Sequence, residues 1–169
     1  TDKINNDLAN IYGNLVSRTV AMSNKYFGGV LENAGAKEDV DDDLIATVTG
    51  AYEKVRAKIN EFKISDALSE IFVIFKRANK YIDETMPWAL AKDESKTARL
   101  KTVLYNLAES IVIGTSLLEP FMPDTAAKVT SYFGTTVRDY GRIVRFGGIE
   151  NGTKVVENPE ILFRRLDVK

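Results

Sequence analysis

A chain of 169 residues, 44% of them hydrophobic and 28% charged, is long enough for one soluble domain with a sizeable core. Its net charge of −1 supplies no global field toward nucleic acid or a membrane surface, so any such contact must come from a local patch. The lack of both cysteine and histidine excludes disulfides, Cys/His zinc sites, cysteine nucleophiles and histidine triads. The opening TDKINNDLAN has no apolar centre and is not a signal peptide. It reads as a chain cut at the start of a helix, so a fragment of a longer protein is expected. No apolar run approaches the ~20 residues of a membrane span. The missing cysteines fit the cytoplasm.

Helical periodicity predicts a first helix over Lys3 to Phe27, closed by Gly28-Gly29. Its apolar positions are Leu8, Ile11, Leu15, Met22 and Tyr26. On its polar side Asn14, Arg18 and Lys25 are spaced by four and seven residues. At about 100° per residue they fall within roughly 40° of one another, with the small Ala21 between. This strip reads either as an ordinary solvated face or as an amide, a guanidinium and an amine offered to base edges and phosphates.

The linker VLENAGAKEDV leads to a second helix over Asp41 to Phe62, with Asp41, Asp42 and Asp43 at the positive end of its dipole. DVDDDL is not a calcium loop, because Leu44 and Gly50 stand where that loop needs glycine and glutamate. A third helix is predicted over Ile64 to Thr85, with Ser65 as N-cap and Pro87 as the stop. The fourth, Ser95 to Leu118, is apolar nearly all round in its second half and is expected to be the most buried. PFMPDTAAKVTSYFG gives a shorter fifth helix ending at Gly134. Asn151-Gly152-Thr153 fits a glycosylation pattern but reads as a turn.

From Thr135 the texture changes to glycine, arginine and short β-branched runs, read as an arm with a hairpin at Gly147 to Gly152. The expected fold is all-α: an antiparallel bundle of about five helices over residues 1–134, then an irregular arm over 135–169. The arm is expected to pack on the bundle or on a part of the protein outside this chain.

The only tryptophan, Trp88, sits at the break after the third helix, directly behind Pro87. One reading makes it a core residue plugging the end of the bundle. The other makes it a stacking platform for an unstacked base, with Pro87 restricting the backbone beneath it.

Taken together these stretches resemble a known family. NNDLANIYGNLVSRTVAMSNKYFGG is similar to the first helix of the anticodon-binding domain of methionyl-tRNA synthetases. RANKYIDETMPWALAK resembles the segment that places that family's anticodon-reading tryptophan. LAESIVIGTSLLEPFMPDTAAKV and the tail GGIENGTKVVENPEILFRRLD resemble the following helix pair and the closing arm. The tail departs from the family in carrying Arg164 where proline is frequent.

The resemblance implies that Trp88 stacks on the first anticodon base, a cytosine. It implies that Asn14 and Arg18 help read the anticodon and that Pro87 shapes the platform. Lys25 stands where some members carry an anticodon-contacting arginine. The family's catalytic motifs and zinc knuckle are absent. The implied function is therefore recognition of the CAU anticodon loop of methionine tRNA by a part of a methionine-tRNA ligase. The parent would use ATP and Mg, while this part would be inactive alone, with no cofactor, metal or membrane contact. The catalytic domain of the same enzyme would be its second partner. The rival readings are the bundle of another class I synthetase and a helical protein-interaction module.

Overall fold

The computed structural model describes residues 4–163, with side chains from residue 6 onward. A π-helical segment, Ile4–Gly13, runs into helix α1, Asn14–Phe27. Helix α2 spans Asp39–Asn60, α3 Ile64–Thr85 and the single turn α4 Pro87–Leu90. Helix α5 spans Thr97–Leu118, α6 Pro123–Tyr132 and the single turn α7 Tyr140–Ile143. The fold is all-α as expected, with no strand among the described residues. The start at Lys3 and the tail from Arg164 lie outside the described residues.

Helix α5 is the axis of the bundle. Every residue from Thr102 to Leu118 is buried, as its all-round apolar pattern predicts. Both α1 and α3 run antiparallel to it. Just before α1 the Tyr12 hydroxyl lies 2.7 Å from Thr115 Oγ1, while at its end Lys101 Nζ sits 5.7 Å from the Phe27 ring centre. Along α3, Tyr81 meets Asn106 and Phe75 meets Gly114. A Cβ on Gly114 would stand 2.6 Å from Phe75 Cε1, so only glycine lets these two helices approach this closely.

Helix α3 begins and ends where periodicity and Pro87 put it, but several expectations need correction. The first helix is not one α-helix. Asn79 on α3 donates to the Ile11 carbonyl at 3.2 Å, at the widened turn before Gly13. Ser65 is not an N-cap: α3 starts at Ile64 behind Lys63. Helix α2 starts two residues earlier than read, because Glu38 and Asp41 form a reciprocal capping box. Helix α5 starts at Thr97, after a 3₁₀ turn, Glu94–Lys96, whose Asp93 cap accepts from Ser95 N at 3.0 Å.

The expected hairpin at Gly147 to Gly152 does not form. That stretch pairs instead with the linker after α1: Leu31 N donates to Thr153 O at 2.8 Å, Gly152 N to Leu31 O at 2.9 Å and Val155 N to Gly29 O at 2.9 Å. The arm's other anchor is a buried carboxylate. Glu109 accepts from Arg138 Nη1 at 2.9 Å and Nη2 at 2.6 Å, and from the backbone N–H groups of Gly147 at 2.8 Å and Ile149 at 2.6 Å. Both charged side chains are fully buried. Asn151 sits in a turn, its side-chain oxygen accepting from Asn33 N at 2.8 Å.

Burial alone would raise the Glu109 carboxyl, but the Arg138 guanidinium and the N–H donors hold it below its ordinary value. Asp41 is lowered in the same way, against its burial, chiefly by Arg99 and Tyr81. Groups depressed in the folded state bind fewer protons than in the unfolded chain. Their stabilisation is complete above the ordinary carboxyl range of about 4 and is lost as pH falls through the folded values. The melting temperature is therefore expected to be flat from neutral pH to roughly 5.5 and to fall steeply below about 4. Glu109→Gln should cost about 3–5 kcal/mol at neutral pH, because it strands Arg138, and should shrink the acid slope. Calorimetry across pH on both proteins checks this, and an unchanged slope in the variant would refute the assignment.

Candidate nucleic-acid interface

The end of α3 determines where Trp88 points. Proline disfavours right-handed helical geometry in the residue before it. Met86 instead adopts a left-handed backbone, φ 45° and ψ 68°, and its N–H closes α3 on Ile82 O at 2.9 Å. The chain turns sharply there, and Pro87 becomes the first residue of α4, a position that tolerates its missing N–H. Pro87 is buried, while the next side chain, Trp88, is 42% exposed. The reading of Trp88 as a core plug therefore fails. Its indole has no hydrogen bond and no ring partner among the described residues.

The end of α3 meets the first half of α5 through Tyr81 and Asn106, and a short connection with a 3₁₀ turn joins α4 to α5, so Trp88 lies toward the N-terminal end of α5. The end of α1 lies there too, as the contact between Phe27 and Lys101 requires. Asn14, Arg18, Ala21 and Lys25 are all exposed on α1. At 1.5 Å per residue their strip runs about 16 Å up the helix toward the Trp88 end. Arg18 has no ion-pair partner among the described residues. Lys25 Nζ stands 5.5 Å from the centre of the Tyr26 ring. Lys25 and Trp88 thus both lie toward the N-terminal end of α5, while Asn14 and Arg18 are exposed further back along α1. No hydrogen bond or ring contact joins Trp88 to the other three among the described residues.

The arm borders this strip. Asn24 on α1 donates through Nδ2 to the Val156 carbonyl at 2.8 Å, which fixes the arm against the last turns of the helix. A cavity of about 400 Å³ lies away from Trp88 between Leu8, Leu68, Phe72, Leu118, Phe121 and Met122. Its lining is mostly apolar, and among the described residues Lys76 is its one cation beside the Asp7 carboxylate, so it does not compete as a site for a polyanion.

Sequence reasoning missed the residues that hold this end together. The Asp41 carboxylate takes a bidentate pair from Arg99, Nη1 to Oδ2 at 2.7 Å and Nη2 to Oδ1 at 2.9 Å, plus the Tyr81 hydroxyl at 2.7 Å. Asp41 is buried, not a solvated first-turn acid. The available signal was Arg99 and Asn106 within a helix read as deeply buried, since polar groups in such a place need internal partners.

A family model described as the anticodon binding domain of methionyl tRNA ligase matches residues 31–168. Pro87 and Trp88 fall inside that match, and α1 precedes it. The chain is 49% identical over 169 residues to a methionine--tRNA ligase of Caldanaerobacter subterraneus, covering 99% of the chain and 26% of the relative. It is 46% identical over 167 residues to that of Clostridium perfringens, with the same coverage of each. A crystal structure of Mycobacterium tuberculosis methionyl-tRNA synthetase bound by methionyl-adenylate superposes with a TM-score of 0.88 at 33% identity. That superposition covers 96% of this chain and 32% of that one. The chain thus spans about a quarter of the length of the curated relatives it matches.

The left-handed residue costs about 1–2 kcal/mol in a non-glycine side chain. Met86→Gly should relieve that strain and lose roughly as much to the greater freedom of the unfolded chain, leaving stability near neutral. Met86→Val, β-branched at positive φ, should destabilise by about 1–3 kcal/mol. Urea denaturation of the three proteins measures both. Equal stability of Val and Met would contradict the account.

Proposed function

The chain belongs to the family of anticodon-binding domains of methionyl-tRNA ligases, and on that premise we propose that it reads the CAU anticodon loop of a methionine tRNA. The observation that carries this reading is the half-exposed Trp88 at a strained left-handed turn, with Asn14 and Arg18 also exposed, on α1. Trp88 offers a flat face to the first anticodon base, a contact worth about 1–3 kcal/mol by truncation. Asn14 and Arg18 supply donors and an acceptor to base edges, which a single-stranded loop exposes and a duplex hides. Pro87 fixes the platform's backbone. Lys25 serves as a charge for a phosphate, since lysine lacks arginine's planar fork.

Specificity arises because a wrong base can still stack but leaves polar groups of the site unpaired. A net charge of −1 is compatible with this mode, because stacking and edge contacts need few phosphate contacts. Residues 1–134 form the reading bundle in this proposal, and the arm over 135–169 braces it against the catalytic part of the same enzyme. The parent attaches methionine to tRNA using ATP and Mg, in the cytoplasm. No helix among the described residues is long and apolar enough to cross a membrane.

In a full-length ligase carrying this chain, Trp88→Ala is expected to lower kcat/KM for methionine tRNA by about tenfold or more. It should leave charging of a minihelix without an anticodon unchanged. Arg18→Ala should act in the same direction. Full activity of Trp88→Ala on whole tRNA would overturn the platform role. Equal loss on the minihelix would point to a folding defect instead.

A further inference from the structure

Both feet of the connection that carries Trp88 rest on one buried carboxylate. On the α3 side the foot is Tyr81, whose hydroxyl donates to Asp41 Oδ1 at 2.7 Å. Its carbonyl accepts from the Thr85 hydroxyl, also at 2.7 Å, at the last turn before Met86. On the α5 side the foot is Arg99, bound to both oxygens of Asp41, at 3.0 Å to the Ala36 carbonyl and, through Nε at 3.3 Å, to the more exposed Glu38 carboxylate. Asn106 closes the set by donating to the Tyr81 hydroxyl at 3.1 Å. Asp41, Tyr81 and Arg99 are all buried. Between the feet Ile82 is buried and Glu84 pairs with Arg77 at 2.9 Å, and past Met86 the chain has fewer anchors. Pro87 is buried and Leu90 partly so, whereas every residue from Ala91 to Ala98 is exposed.

We propose that Asp41 is a positioning residue for Trp88. From a third helix, its carboxylate sets the separation between the end of α3 and the start of α5, and so the orientation of the indole. The proposal rests on the reading of Trp88 as the base platform, and it names the group that pre-orders the platform. An indole fixed before binding loses less freedom when a base stacks on it. Asp41 never touches RNA in this scheme. Its two oxygens serve the Arg99 fork, the Tyr81 hydroxyl and, at 3.2 Å, the Glu38 N–H, a set that only an ionised acceptor can serve together.

Asp41→Asn keeps the shape and removes the charge. Its amide would place N–H donors where Arg99 and Tyr81 also donate, so the clamp should open. Trp88 is the chain's only tryptophan, so its time-resolved fluorescence anisotropy reports the platform directly. Three variants are compared with the parent chain well below their melting temperatures, with far-UV circular dichroism confirming helicity. They are Asp41→Asn, the milder Tyr81→Phe and, as a control, Glu109→Gln, which breaks the other buried charge pair on the side of the arm. Asp41→Asn and Tyr81→Phe should add fast depolarisation to Trp88, while Glu109→Gln should not. Affinity for a CAU anticodon stem-loop should fall about three- to tenfold in the first two, the cost of ordering one side chain on binding.

If Asp41→Asn does not fold, Tyr81→Phe, which keeps the Asp41–Arg99 pair, carries the test. Unchanged anisotropy in the folded clamp variants overturns the proposal, as does an equal change in Glu109→Gln, which would mean general loosening. Loosened indoles in the clamp variants, combined with a Trp88→Ala chain that binds the stem-loop as tightly as the parent, would uphold the positioning and overturn the platform reading.

Discussion

A helix buried on every side has nowhere to send its polar side chains except to its neighbours. Helix α5 is such a helix, and its polar residues assign the rest of the chain to places around it. Arg99 takes the start of α2 through Asp41. Thr102 accepts from the linker at Ala36. Asn106 takes α3 through Tyr81, and Thr115 takes the π-helical segment through Tyr12. Glu109 and Ser116 hold the arm, the first through the Arg138 guanidinium and the second through the Arg138 backbone N–H. Apolar packing supplies the cohesion, but it tolerates sliding. These pairs do not, because an unmade hydrogen bond in such a place costs about 1–3 kcal/mol and an unpaired charge more.

The functional end inherits its geometry from that arrangement. Trp88 is exposed where the backbone turns: Pro87 disfavours the right-handed region for Met86, and after the left-handed turn Pro87 goes inward while Trp88 stays half-exposed. Arg77 reinforces the end of α3, pairing with Asp43 on α2 and, at 2.9 Å, with Glu84. The exposed strip on α1 is backed by the buried Leu15, Val16, Thr19, Val20 and Ser23 of the same helix.

Much of this was legible in the residues. The limits of α3, the burial of α5, the left-handed cap at Gly28 and the common face of Asn14, Arg18 and Lys25 all follow from local patterns. What was not legible depended on partners far away in sequence. The π-helical start needs Asn79, 68 residues from the carbonyl it binds. The arm pairs with the linker and with Glu109, not with itself, and turn residues alone cannot say which edge a segment will choose. Asp41 looked like any acid at a helix start, since nothing near it reveals Arg99, 58 residues away. The exposure of Trp88 stayed open because the handedness of one backbone residue decides it.

Phe163, the last described residue, packs on the beginning of the fold: its ring centre lies 5.9 Å from that of Tyr12 and its Cδ2 stands 3.4 Å from where a Cβ on Gly13 would be. The path therefore nearly closes on itself. Topologically the unit is a ring with a gap, and the order in which its helices follow one another matters less than the order in which they stand around α5. A ring of this kind can be opened elsewhere, at the exposed turn between α2 and α3 for example, and still present the same neighbours to the same central helix.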